Sequence, residues 1–282
     1  MPDALPDVMP DTVSAPLSKA ALLAGLRDRI RRIEGIGGQG GHVLPLGVPE
    51  LDGALPDGGL PLGCLHELSG HELSGEAPGA ATAFAAALLA RLTNRDGAAG
   101  PAVWIVRGRD LHAPGLAAYG LLPDRLIAVR AARDADALWA MEEALRCRRL
   151  SAVLGEVGAL DLTASRRLQL AAEAGGVTGV LLRTGWAGGR AASGGASAAV
   201  TRWRIAAAPS VPDEPGVGPA RWRAELLRCR GGRPGSWLLE WRDGALAAPA
   251  RAPLPVRPAR PMPALVPAPV PAFMPERWAE VA

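Results

Sequence analysis

Short apolar runs alternate with helix-like segments through the middle of the chain, and this order restricts the fold more than any other feature. Ala102–Val106, Leu126–Val129 and Ala152–Leu154 have the length and β-branched content of buried core strands. Ala135–Arg146 and Thr163–Ala174 have helical length and spacing. Further strands are predicted at Cys64–Leu68, Val177–Arg183 and Thr201–Ala207, and a buried helix at Thr82–Leu92. Strands separated by helices predict an α/β fold with a mostly parallel, twisted sheet flanked by helices.

The C-terminal part of this sheet is predicted to be antiparallel. Ala220–Arg230 and Gly235–Arg242 both alternate apolar and polar residues, and the turn residues Gly231–Pro234 join them. Two alternating runs joined by a short glycine-containing loop are typical of a β-hairpin. We therefore expect a hairpin at the edge of the sheet.

Composition changes mark the ends of the folded part. Residues 1–16 are rich in Asp and Pro and are predicted to be disordered, and residues 17–36 have the apolar spacing of an amphipathic helix. Proline dominates residues 245–282, which are predicted to form a disordered tail. The sequence thus predicts one domain, over residues 40–244.

Charge and composition exclude several classes of protein. No run approaches the roughly 20 apolar residues that a membrane span needs, and the N-terminus lacks the pattern of a secretory signal, so we expect a cytoplasmic protein. The 3 cysteines are far apart, which favours reduced thiols over disulfides. Basic residues outnumber acidic ones in the last third, which indicates nucleic acid or an acidic partner unless it reflects coding bias alone.

A degenerate phosphate-binding loop follows the first predicted core strand. Such a loop needs glycines, a lysine for the phosphates and a Ser or Thr hydroxyl for magnesium. Gly70, Gly75, Gly79 and Thr82 are the remnants of this pattern, but the chain's one lysine is Lys19, and no arginine lies between Gly58 and Leu89. The sequence therefore predicts no bound nucleotide or metal, no catalytic residue and no enzymatic activity.

The order of these parts resembles the RecA core across Val43–Gly244. "GVPELDGALPDGGLPLGCLHELSG" is similar to the approach to the RecA phosphate-binding loop, and "RWRAELLRCRGGRPGSWLLEW" is similar to its terminal hairpin. Within such proteins the chain resembles the ImuA family of DNA-damage-induced mutagenesis proteins through "ALWAMEEALRC", "LDLTASRRLQLAAEA", "TRWRIAAAPS" and "LLRCRGGRPGSWLLEW". The resemblance implies a RecA-like core.

The same resemblance locates departures from an ATPase. Arg109 or its neighbours take the place of the acidic residue that activates water in RecA, and Glu156 takes the place of the residue that supports magnesium. The segment similar to the second DNA-binding loop, Thr184–Ala199, has a single charge, at Arg190. Arg190 and Arg202 are the candidates for a weak DNA contact.

Two further groups are candidates for binding partners. Arg228 and Arg230 resemble the basic pair that RecA directs at a neighbouring subunit; the alternative is a solvated strand edge. Phe273, Met274 and Trp278 follow the proline-rich segment with the spacing of one helical face, which favours a docking peptide over a frayed tail.

The tandem repeat "HELSG" at 66–75 is a further feature of the phosphate-binding region. His66 and His71, each followed by glutamate, could suggest a metal pair, but their spacing of five residues and the lack of a third ligand favour a duplication in a loop.

Together these observations predict a non-catalytic RecA-like adaptor of the SOS translesion-synthesis machinery. The resemblance implies three partners: an inactive Y-family-like polymerase of the ImuB type, an error-prone replicative-type polymerase, and RecA. Two alternatives remain, a cell-division inhibitor of the SulA type and a residual DNA-dependent ATPase.

Overall fold

The computed structural model describes residues 25, 43–70, 79–98, 100–158, 160–183, 197–210 and 218–249. The strands are β1 (Val43–Leu44), β2 (Leu60–Pro61), β3 (Leu65–Gly70), β4 (Ala102–Val106), β5 (Leu126–Arg130), β6 (Ala152–Val157), β7 (Thr178–Arg183), β8 (Thr201–Ala207), β9 (Arg221–Cys229), β10 (Gly235–Arg242) and β11 (Ala245–Ala247). The helices are α1 (Pro49–Asp52), α2 (Gly79–Asn94), α3 (Ala113–Ala117), α4 (Asp134–Leu145) and α5 (Leu162–Gly175).

The predictions for the two ends of the chain fall largely outside these residues. Residues 1–16 and the terminal segment from residue 250 onward lie outside them, and of the helix predicted over 17–36 only Gly25 is described, in a helical conformation. Among the described residues, no helix is both long and apolar enough to cross a membrane.

A nine-stranded mixed sheet organises the described part of the chain, in the order β11-β10-β9-β8-β3-β7-β6-β4-β5. The six strands from β8 to β5 in this order run parallel to one another, whereas β9 is antiparallel to β8, β10 to β9 and β11 to β10. β1 and β2 form a separate two-residue pair. The predicted α/β fold, with a mostly parallel sheet and an antiparallel C-terminal part, is confirmed.

Helices cover the parallel strands on both faces, which explains why these strands are apolar at consecutive positions. Successive strand residues point to opposite faces. Thus Trp104 packs in a core with Phe84 of α2, while its neighbours in β4, Val103 and Ile105, pack in a second core with Met141 of α4. A strand buried on both faces has no polar side, and it reads as a continuous apolar run.

The helix α5 shows how local sequence sets the end points of these elements. Asp161 precedes it, and its Oδ1 accepts a hydrogen bond from the Ala164 N–H at 2.6 Å, which satisfies a donor in the first turn. Gly176, with a φ of 68°, follows the last helical residue, Gly175. Because a left-handed φ favours glycine, the predicted helix end at this glycine pair is confirmed.

The sheet continues past Gly244, where the sequence analysis placed the end of the domain. β11 pairs with β10 so that Leu246 lies opposite Trp241, and Leu246 is only 3% exposed. The turn between them contains Asp243 and Gly244, both with positive φ. This structure corrects the boundary and places the predicted hairpin one strand inside the edge. The Asp-Gly dipeptide was the available signal, since it is typical of two-residue hairpin turns, but a three-residue strand is too short to show periodicity.

Candidate functional site

The strand and helix that flank the predicted phosphate-binding loop lie at the centre of the sheet. β3 lies between β7 and β8 and ends at Gly70. α2 begins at Gly79 and carries Thr82 in its first turn, whereas Gly75 lies outside the described residues. The carboxyl ends of parallel strands are where open α/β sheets bind ligands. A strand followed by a helix, the order found in a nucleotide site, is therefore present, but the sequence from Gly58 to Leu89 has no lysine or arginine.

Glu156, the residue at the predicted magnesium-supporting position, joins β6 to β4. Its Oε1 accepts a hydrogen bond from the indole N–H of Trp104 at 2.9 Å, and its Oε2 accepts one from the backbone N–H of Arg107 at 3.1 Å. Trp104 is wholly buried, so its indole donor has no access to water. Both carboxylate oxygens thus satisfy donors at the end of β4, and this contact gives Glu156 a structural role.

A second carboxylate, that of Asp134, links the start of α4 to the segments that follow β4 and β6, at the same end of the sheet. Its Oδ1 lies 2.9 Å from Nη1 of Arg107, just after β4, and accepts a hydrogen bond from the backbone N–H of Gly158 at 2.9 Å. Asp134 is the first residue of α4, and Gly158 follows β6. Arg109, which with its neighbours is predicted to take the place of the general base, is exposed.

Glu67 is a buried charge that the sequence analysis did not select as a site residue. Its side chain is 6% exposed and lies between Arg202 of β8, at 3.3 Å, and Arg183 of β7, at 3.7 Å. Burial lowers the pKa of the Arg183 guanidinium, and the neighbouring Glu67 carboxylate opposes this shift. Arg202, a candidate for a DNA contact, therefore has an ion pair within the sheet. Its contact with DNA stays a prediction, and Arg190 lies outside the described residues.

A cavity of about 590 Å³ opens beside the start of α2. Small residues of α2, the residues around the β8–β9 connection and three aromatic side chains, those of Tyr119, Trp222 and Trp241, line it. Of the described residues that line it, only Arg221 is charged, and its Nε lies 2.6 Å from Glu240 in a pair that is 3% exposed on each side. Within the described residues, the cavity thus has apolar and aromatic walls and offers a phosphate group no exposed cation.

The two arginines predicted to contact a partner hold the chain that enters β8. Nη1 of Arg228 donates to the carbonyl of Ser197 at 3.1 Å, and Nη2 of Arg230 donates to that of Ala198 at 3.3 Å. The backbone N–H of Arg230 also donates to Val200 at 2.9 Å. Their role in binding a partner stays a prediction, as does that of Phe273, Met274 and Trp278, which lie outside the described residues.

His66, in the first copy of the "HELSG" repeat, lies within β3 rather than in a loop, and it is fully buried. Its Nε2 lies 2.8 Å from the carbonyl of Pro61 and its Nδ1 lies 2.7 Å from the hydroxyl of Thr201. Because a carbonyl only accepts, Nε2 carries the proton. The Thr201 hydroxyl, which accepts from the Trp203 indole at 2.8 Å, donates to Nδ1. Burial lowers the pKa of His66 to about 4, so the ring is neutral at pH 7.

Adjacent strand positions separate His66 from Glu67, because successive side chains point to opposite faces of the sheet. A metal ion therefore cannot be bound by His66 and Glu67 together. His71 and Glu72, in the second copy of the repeat, lie outside the described residues.

Comparisons with known proteins identify relatives of this chain. No protein-family model matches the chain. A crystal structure of SulA from Pseudomonas aeruginosa is similar over 43% of this chain and 98% of that one, with 28% identity and a TM-score of 0.38. Protein ImuA from two strains of Caulobacter vibrioides, NA1000 / CB15N and ATCC 19089 / CIP 103742 / CB 15, is 49% identical over 207 residues, which cover 71% of this chain and 84% of the relative. The chain therefore belongs to the ImuA family.

Proposed function

We propose that this protein is a non-catalytic RecA-like adaptor in DNA-damage-induced mutagenesis, which acts by binding components of the error-prone translesion-synthesis machinery. Membership of the ImuA family supports the process. One observation supports the non-catalytic part above the others. Glu156 is the residue predicted to take the place of a magnesium-supporting carboxylate, and both of its oxygens accept hydrogen bonds, from Trp104 and Arg107.

The charges around the site favour the same proposal. Phosphoryl transfer relies on cations that neutralise the phosphate oxygens and on a residue that positions the attacking water. Among the described residues, Arg221 beside the cavity forms an ion pair with Glu240, and Asp134, near the carboxyl ends of β4 and β6, forms one with Arg107. These ion pairs stabilise the sheet and the connections at its carboxyl end. A fold of this kind supplies surfaces for binding without a site for hydrolysis.

The proposed partners are an inactive Y-family-like polymerase of the ImuB type, an error-prone replicative-type polymerase, and RecA. We assign one contact to the terminal segment with Phe273, Met274 and Trp278, since large apolar residues at the end of a proline-rich segment fit a docking peptide. We assign a second to the β9 end that carries Arg228, which is exposed.

The test is capture of the three purified partners by the full chain, with and without ATP and magnesium. The adaptor proposal expects capture that is independent of ATP, together with no saturable ATP binding by calorimetry. Saturable ATP binding would favour a residual ATPase. Capture of no partner, combined with filamentation of cells that overproduce the chain, would favour a division inhibitor.

Substitutions in the full chain separate the two contacts. Trp278→Ala is expected to weaken capture of one partner, and Val270→Ala, in the same terminal segment, serves as its control. Arg228→Ala is compared with Arg223→Ala, because Arg223 is another exposed arginine of β9. The damage-induced mutation frequency of cells that carry each variant links capture to function. Retained mutagenesis in a variant that captures nothing would overturn the proposal.

A further inference from the structure

The strand β5 forms the parallel end of the sheet, and its outer edge has no neighbouring strand among the described residues. The Ala131 N–H, immediately after β5, donates to the Val106 carbonyl of β4 at 3.0 Å. Backbone groups of successive strand residues point to opposite sides. Hence Ile127 and Val129 direct their N–H and C=O groups toward β4, whereas Ala128 and Arg130 direct theirs away from the sheet.

Nothing in the sequence of β5 protects this edge. Natural edge strands are shielded by proline, lysine, bulges or inward charges. β5 reads Leu-Ile-Ala-Val-Arg, its pairing with β4 is regular along all five residues, and only Arg130 carries a charge. Ile127 is 46% exposed and Ala128 is also exposed. Within the part of the chain that the structure describes, the edge therefore combines unpaired backbone groups with accessible apolar side chains.

The geometry points to a second copy of this chain as the occupant: we propose that two molecules associate through antiparallel β5–β5 pairing about a two-fold axis at Ala128. In this arrangement Ala128 faces Ala128 of the other copy, and both residues direct their backbone groups at each other. Leu126 lies opposite Arg130 of the other copy, and the outward carbonyl of Leu126 meets the outward N–H of Arg130. In this register each residue whose backbone groups point outward lies opposite another such residue, as hydrogen-bonded pairs between antiparallel strands require.

Side chains are also self-complementary in this register. Ile127 lies opposite Val129 of the other copy in a non-hydrogen-bonded pair, where side chains approach most closely. Both point to the face covered by α4, because their partners in β4, Val103 and Ile105, belong to that core. The two-fold axis repeats this apolar pair, which is what an isologous interface needs.

Charged residues of both signs lie at the two ends of the β5–β5 interface, the joint formed by Leu126–Arg130 of the two copies. Asp124 and Arg125 precede β5, and both are exposed. The Nε of Arg125 lies 3.8 Å from the Oδ2 of Asp124. The two-fold arrangement brings Arg130 of one copy to the end where Asp124 and Arg125 of the other lie. A joint of five residues is smaller than a standard interface of about 1,600 Å², so we expect a dissociation constant on the order of 10 µM.

Sedimentation equilibrium of the full chain tests this interface. Concentrations up to about 100 µM are needed because an interface this small is expected to be weak. Wild type is expected to shift from the mass of one chain to that of two. Ala128→Pro removes an outward N–H and leaves the amides that face β4 in place, so it is tolerated on an edge strand and is expected to weaken association at least about tenfold, since the central pair of hydrogen bonds cannot form.

Ile127→Lys is the second variant, since it places a charge in the joint and does not change the backbone. This variant is expected to be a monomer. Leu170→Lys is its matched control, because Leu170 is 63% exposed on α5, away from the edge, and this variant is expected to dimerise like wild type. A monomeric wild type, or a dimer that survives Ile127→Lys, would overturn the proposal.

Crosslinking tests the register. Paired Cα atoms at a hydrogen-bonded antiparallel site lie about 5.5 Å apart, within reach of a disulfide. Ala128→Cys, made together with Cys147→Ser because Cys147 is exposed, is expected to form a covalent dimer under mild oxidation. Trp139→Cys is the control, because Trp139 lies on α4 and is 66% exposed, and this variant is expected to form no covalent dimer. Crosslinking of Trp139→Cys alone would place the contact on the helices and contradict the β5 joint.

Discussion

Replacement of Glu156 by alanine tests whether this carboxylate is structural. The substitution removes the acceptor of the Trp104 indole, at 2.9 Å, and of the Arg107 backbone N–H, at 3.1 Å. A buried donor left without an acceptor costs about 1–3 kcal/mol. Trp104 is wholly buried and belongs at the upper end, whereas the N–H of Arg107, whose side chain is 25% exposed, can gain water. We therefore expect Glu156→Ala to lower the free energy of unfolding by about 3–4 kcal/mol.

The assay is urea unfolding followed by circular dichroism, which avoids the change in fluorescence expected from Trp104. Glu156→Gln is the matched variant: its amide oxygen can still accept one of the two hydrogen bonds, so we expect a loss of about 1–2 kcal/mol. Glu143→Ala, at an exposed residue of α4, is the surface control. If Glu156→Ala unfolded within about 0.5 kcal/mol of wild type, as surface substitutions do, the structural role of this carboxylate would be refuted.

Three further predictions concern the buried polar groups and the last strand. The lowered pKa of His66, about 4, means that the unfolded state binds a proton more readily; stability is therefore full above pH 6.5 and falls as the pH drops from 6.5 toward 4, by about 3 kcal/mol in all. Urea unfolding at a series of pH values should show this slope for wild type and lose it for His66→Gln; an unchanged slope in the variant would exclude His66 as its source. Glu240→Leu should destabilise the chain by about 3–5 kcal/mol, because Arg221 keeps its charge while its buried carboxylate is lost, and Arg221→Met in the same chain should recover part of this. Equal losses in the single and double variants would contradict that reasoning. Leu246→Ala should lower the unfolding free energy by about 2–4 kcal/mol, since Leu246 packs in the core, and a change below about 0.5 kcal/mol would mean that β11 is not part of it.

Periodicity and composition determined the architecture of this protein from the sequence alone. The strands at Ala102–Val106, Thr201–Ala207 and Gly235–Arg242 have the predicted bounds, and the helices over 134–145 and 162–175 lie within one residue of theirs. These elements were predictable because their apolar residues follow the period of the structure they form, and because a strand covered on both faces is apolar throughout. The absence of lysine and arginine between Gly58 and Leu89 was equally visible, since it depends only on which residues are present.

The tertiary structure alone decided which charges meet. The ion pairs of Glu67 with Arg183 and Arg202 join three strands that are distant in sequence. The hydrogen bond from Trp104 to Glu156 likewise joins β4 to β6. Periodicity reports which face a residue occupies but not its neighbour on the next strand, because that neighbour depends on strand order and register. For the same reason the sequence predicts a strand at Leu126–Val129, but only the order of the described strands shows that it lies at their edge. Local patterns fix elements, whereas contacts between elements exist only once the chain has folded.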